Sequence, residues 1–258
     1  MGDVQMYTEE QFEQLEQEER TVTDEQIAIM LSLLNALGED LEKELRSFYQ
    51  KYGKDGVVTW QEARKWVSEK DHSRRLTALM LAVGERFSSL LDDLEPEFET
   101  IMREVIGKES SFFNIDVDAE KLIFFVWGAD QINWLVRLQD HVNLWEFRIV
   151  SDLKQALLQR KNINLLLSDL AGRVDSMKQI IERLGLTEST AIGSATRKEI
   201  FKTLGISQYR FYTKYDERTC ETCGGMHDHT FPISAYEVGV TASPLHPRCR
   251  CWEVPITE

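Results

Sequence analysis

Up to about Gly205, apolar side chains recur at steps of three and four, the spacing that lines one face of an α-helix. Ile27, Met30, Leu31, Leu34, Leu37, Leu41, Leu45 and Phe48 form such a stripe, with Asp24 placed to cap its start and Tyr52-Gly53 to end it. Lys54-Asp55-Gly56 has turn chemistry. Thr59 stands three residues before Glu62, the capping-box spacing that opens another helix, one that carries Trp66. The pattern predicts further helices over 72–94, 96–106, 117–139, 142–160, 162–171, 173–184 and 187–204, the last with Thr187 as its cap and Glu188 in its first turn. Residues 8–20 differ. They are strongly acidic, and Phe12 and Leu15 are too sparse to anchor them, which predicts a frayed helix or a tail. Beyond Gly205 the helical period gives way to loops and short strands.

The expected architecture is a mainly α N-terminal region, a multi-helix bundle or an extended arm, followed by a small α+β C-terminal domain. Its parts are an acidic tail over 1–22, a helical region over 23–204 and a Cys/His domain over 205–258. The chain carries 44 acidic against 30 basic side chains, a formal charge of -14, so phosphate-driven binding of DNA or RNA in general is not expected. The richest apolar run, Leu122 to Trp127, stops at Gly128 and Asp130, too short to span a membrane. Seven acids precede the first base, Arg20, the reverse of a basic-then-apolar export signal. Phosphate-loop, dinucleotide, serine-elbow and H-E-x-x-H motifs are all missing, so neither a small-molecule substrate nor a set of catalytic residues is expected. Trp127, Trp134, Trp145 and Phe147 read as helix packing ahead of a docking surface, and His72 and His141 as surface histidines.

The chemistry concentrates at the C-terminal end. Cys220 and Cys223 form a C-x-x-C turn, and Gly224-Gly225 frees the backbone behind it to curl around an ion. His246, Cys249 and Cys251 supply three candidates for the other half of a tetrahedron. Thiolates with imidazole suit Zn2+, and four protein donors leave no open position for a water, so the zinc is expected to be structural. Which of Cys249 and Cys251 completes the set is left open by the spacing. Disulfides fit a reducing compartment poorly, and the end of the chain is too short for a thioredoxin-like βαβ unit. A metal-dependent hydrolase, nuclease or toxin-like effector using His227, Asp228 and His229 is the alternative; the triplet also reads as a polar turn leading into Thr230-Phe231. Arg218, Arg248 and Arg250 read as partners of nearby carbonyls and acids, with a DNA or partner-protein contact as the sharper reading.

The run from Tyr215 through Asp216, Arg218 and Thr219 to Cys220 and Cys223, the glycine-containing turn ending in Phe231, and the closing Pro244-Leu245-His246-Pro247-Arg248-Cys249-Arg250-Cys251 resemble the C-terminal domain of phage minor head proteins of the Mu F-like head morphogenesis family. Trp127 to Trp134, Arg137-Leu138, Trp145 and the helix from Ile149 to Leu158 look like the helical segment that precedes it. Leu186-Thr187-Glu188 sits where the family tends to have Arg-Thr-Glu, and Met226-His227-Asp228-His229 where many relatives read Leu-Asp-Gly-Lys. Residues 1–120 are similar only in helical character. The resemblance implies a non-enzymatic component of a virion head, made in the host cytoplasm, associated with the portal protein and other head proteins and with packaged DNA within reach, assisting head assembly or DNA delivery.

Overall fold

The computed structural model describes residues 7–63, 70–128 and 130–256. It is mainly helical, with a few strands at the C-terminal end, as the periodicity predicts. Helix α1 (Glu9–Tyr52) leads into a hairpin of β1 (Gly53–Lys54) and β2 (Val57–Val58). Asp55 and Gly56, both at positive φ, turn the hairpin, the backbone that Asp-Gly favours. Trp60–Ala63 begin a helical turn, and among the described residues beyond it come α2 (Lys70–Phe113), the single turn α3 (Ala119–Leu122) and α4 (Trp134–Leu158). After α5 (Ile163–Thr203), Gly205 at φ +70 ends the helical region where the composition changes. Last come β3 (Gln208–Thr213), α6 (Glu221–Met226), β4 (Thr230–Pro232), a 3-10 turn and β5 (Cys251–Ile256). The three strands form one antiparallel sheet in the order β4-β3-β5, pairing Tyr209 with Phe231 and Thr213 with Cys251.

The helices are fewer and longer than the local breakers predict. Pro96 lies inside α2, although an internal proline costs about 3 kcal/mol. Leu94, Phe98 and Ile101 around it are buried, each offsetting roughly 1.5–3 kcal/mol. Gly172 and Gly185 likewise lie within α5, and the break expected near residue 140 falls inside α4. Thr187 is therefore not a cap: its hydroxyl donates to the Arg183 carbonyl one turn back, at 2.6 Å. The helix expected over 117–139 is instead α3, a turn with Gly128 and Gln131 at positive φ, and the start of α4, where Asn133 accepts from the Val136 N–H at 3.1 Å. Thr59 does cap as expected, accepting from the Glu62 N–H at 3.2 Å; Trp66 lies outside the described residues, as does the side chain of His72. The acidic start is neither tail nor frayed, since α1 begins at Glu9 and Phe12 and Leu15 are buried; Asp24 is mid-helix and paired with Arg20.

The chain forms two compact units, neither contiguous in sequence. One comprises Ile29–Pro96 and Leu138–Ile181; here Val174 packs 3.3 Å from the position a side chain on Gly38 would occupy, and the Tyr49 hydroxyl donates to the Lys161 carbonyl. Trp145 is buried and half-buried His141 stacks on it, whereas Phe147 stands 71% exposed. The other comprises Met1–Ala28, Glu97–Arg137 and Glu182–Glu258. Its core joins Phe12 and Phe113 to Ala191, Ala195 and Phe201 of α5 and to Tyr209, Tyr236 and Trp252 of the C-terminal segment. Trp134 is buried against Phe98 in the same unit.

Candidate metal centre

Cys220 and Cys223 flank the first turn of α6. Cys220 is its N-cap, and its sulfur accepts from the Cys223 N–H at 3.3 Å, which helps pull the Cys220 thiol below its ordinary range. β5 carries Cys251 at the register of Thr213, and the loop before it brings in His246 and Cys249. The His246 Nε2 lies 3.2 Å from the sulfurs of both Cys220 and Cys223, and the Cys223 sulfur lies 3.8 Å from that of Cys249. Cys223, Cys249 and Cys251, all buried, form a second close group. Those three sulfurs share a small apolar pocket with Phe211. Because they crowd, Cys249 accepts from its two neighbours and is pulled down, while those contacts and burial push Cys223 and Cys251 up. None of the four cysteines is in a disulfide.

The His246 ring is oriented for ligation. Its Nδ1 sits 2.9 Å from the Pro247 carbonyl, an atom that only accepts, so Nδ1 carries the proton and Nε2 presents its lone pair to the sulfurs. The donor set thus fits a soft or borderline ion such as Zn2+. His227 faces elsewhere: its Nδ1 accepts from the Thr213 N–H at 3.3 Å, and among the described residues neither His227, Asp228 nor His229 joins a metal-holding group. They form the polar turn into β4, with Asp228 at positive φ. Arg250 clamps Asp216 through both of its terminal nitrogens, at 2.7 and 2.6 Å, and Arg248 meets Glu182 at 3.1 Å. Arg218 donates its backbone N–H to Asp216.

The knot does not stand alone on its metal ligands. Alternating Tyr209, Phe211 and Thr213 of β3 are buried; Tyr209 joins Trp252 in the core shared with α1 and α5, and Phe211 packs on the cysteines. The Arg248 N–H donates to Thr187 at 3.1 Å, seating the ligand loop on α5. The C-terminal segment thus takes much of its apolar burial from a core shared with α1, α2 and α5.

Residues 148–254 match the family model described as Phage Mu protein F like protein. Over that stretch the chain is similar to Mu F-like phage head proteins. The matched residues hold all four cysteines, His246 and the part of α5 on which the knot is seated. No curated protein and no solved structure matches the chain.

Two groups of buried charges were invisible to motif reading. Glu188, assigned by pattern to a helix start, is buried in mid-helix, where Arg137 and the Trp127 indole hold it at 2.9 and 2.8 Å. Arg197 is 1% exposed and faces four glutamates: Glu109 at 2.5 Å, Glu16 at 2.6 Å, Glu19 at 3.4 Å and Glu253 at 3.7 Å. The available signal lies in α1, where Glu16 and Glu19 fall on the same helical face as Phe12, Leu15 and Thr23, a face that solvated acids avoid.

Proposed function

We propose that this chain is a minor head protein of a phage or prophage, seated at the portal vertex, and that zinc held by Cys220, Cys223, His246 and Cys249 staples its C-terminal knot. The observation that carries the staple is the convergence of the His246 Nε2 and the sulfurs of Cys220, Cys223 and Cys249 inside the family-matched stretch. Cys251 is then the neighbouring thiol that packs behind the ion, grouped with Cys223 and Cys249. With four protein donors the ion closes loops and adds folding energy instead of activating water, which suits a non-enzymatic part. The -14 charge repels packaged DNA, and Arg248 and Arg250 are already paired with acids, so protein contacts serve assembly better than DNA contacts. Phe147 on α4 is an apolar residue free to meet a partner.

Co-expression of the chain with a portal protein from the same genome, followed by pull-down and electron microscopy of assembled heads, tests the assignment. Recovery of the pair and density at the portal vertex are expected. Failure to copurify, with the chain missing from purified particles, would overturn it.

A further inference from the structure

The carboxylates around Arg197 outnumber its one positive charge. Glu253 is satisfied without further help: its oxygens accept from the Ser243 N–H, the Tyr236 hydroxyl and the Ser194 hydroxyl. Glu16 takes the Arg197 Nη2 and keeps an edge toward solvent. Glu19 and Glu109 have neither outlet. Glu109 is fully buried and Glu19 is 6% exposed; one oxygen of each faces the same Arg197 Nη2 that Glu16 takes, at 2.5 and 3.4 Å, while Glu19 Oε1 and Glu109 Oε2 lack a hydrogen-bond partner. The nearest oxygens of both side chains lie 3.5 Å from the Cβ position of Gly193, so the two carboxyls converge on one spot. Two bare carboxylates cannot share such a place in low dielectric beside a single guanidinium that already serves Glu16.

We propose that Glu19 and Glu109 share one proton beside Arg197 and act as a latch that fastens residues 9–28 of α1 to α2 and α5, loosening as that proton is lost between mildly acidic and neutral pH. The groups facing the pair are Glu16 from α1, Arg197 from α5 and Glu253 from β5; Arg20 and Cys249 act on the Glu16 side, and Tyr236 on the Glu253 side. Burial, opposed by Arg197, lifts Glu109 to about 7, and burial together with Glu109 raises Glu19 further. The sign follows from linkage. A carboxyl whose value is raised in the closed form binds a proton that the open form has already released, so closure is favoured at low pH, weakens as pH rises from the ordinary carboxyl range to about 7, and changes little above that. Opening uncovers Phe12 and Leu15 of α1 and the Phe113 and Phe201 surface beneath, an apolar face that a partner helix can take.

The test is amide hydrogen exchange of the full chain between pH 5 and 8.5, corrected for the intrinsic pH dependence of exchange, with peptides from 9–28 and, as an internal control, from 208–213. The opening equilibrium of 9–28 is expected to rise by up to about tenfold per pH unit between about 5 and about 7, one proton being released, and to level off above about 7. The strand peptides should stay protected, and Glu109→Gln, a neutral stand-in for the protonated carboxyl, should flatten the rise. If Glu109→Gln loses its helical signal, Glu19→Gln replaces it with the same expectation. A pH-independent profile in the unaltered chain, a parallel loss in 208–213, or an undiminished rise in a folded variant overturns the proposal.

Discussion

The Arg137 guanidinium lies 2.9 Å from the Glu188 carboxylate, with 14% and 4% of the two side chains exposed. Arg137 also donates to the Trp127 carbonyl and stacks on the Trp127 ring at 4.7 Å, and the indole N–H returns to Glu188 at 2.8 Å. The loop that replaces the expected helix between α3 and α4 is thus tied to α5 by a closed set of charge-assisted contacts. Removing one member strands the other: Glu188→Ala should cost about 3–5 kcal/mol in denaturant unfolding, and Glu188→Gln, which keeps an acceptor for Trp127, distinctly less.

Much of the architecture is legible in the chain because its signals are local. The stripe from Ile27 to Phe48, the Asp55-Gly56 turn, the Thr59 cap and the change of regime at Gly205 need only near neighbours, and all are present. That C-x-x-C should meet His246 and one of Cys249 and Cys251 is legible for a different reason, since metal ligation restricts both residue type and spacing, but the choice between the two cysteines is not. The failures are tertiary. Pro96 and Gly185 read as breaks because their cost is local while the burial that outweighs it is contributed by residues far along the chain. Phe12 reads as too weak an anchor because the aromatic partners that pack on it, Phe112 and Phe113, lie about a hundred residues on.

The first turns of α1 are expected to behave as core. Phe12→Ala should lower stability by about 3–5 kcal/mol, and deletion of 1–22 should be at least as costly, where a solvated tail would cost almost nothing. Thermal unfolding of both variants reads the difference.

Two helix glycines make a paired test. Gly107 in α2 has no atom within 4 Å of its Cβ position, so Gly107→Ala should stabilise by about 0.5–1 kcal/mol. At Gly185 the same methyl would meet the Ile27 side chain at 3.1 Å, and Gly185→Ala should give no gain or a loss. Equal gains at the two sites would mean that α1 does not lie against α5 there.

Asp216 is held well below the usual carboxylate range, chiefly by its hydrogen bonds from Arg250. A depressed value contributes stability at neutral pH that is lost as the solution is acidified through the folded-state value. In Arg250→Gln the Asp216 titration, followed by carboxyl NMR, should move up toward an ordinary aspartate. An unmoved titration would show that the clamp between the C-x-x-C loop and the ligand loop is not formed.

The zinc staple is tested most directly by the metal content of the purified full chain, measured alongside the order of residues 215–256 by hydrogen exchange. One tightly held zinc per chain is expected. Cys220→Ser should lose both the metal and protection over 215–256, while His227→Ala and His229→Ala keep both. Metal-free protein whose 215–256 segment is fully protected would contradict the account.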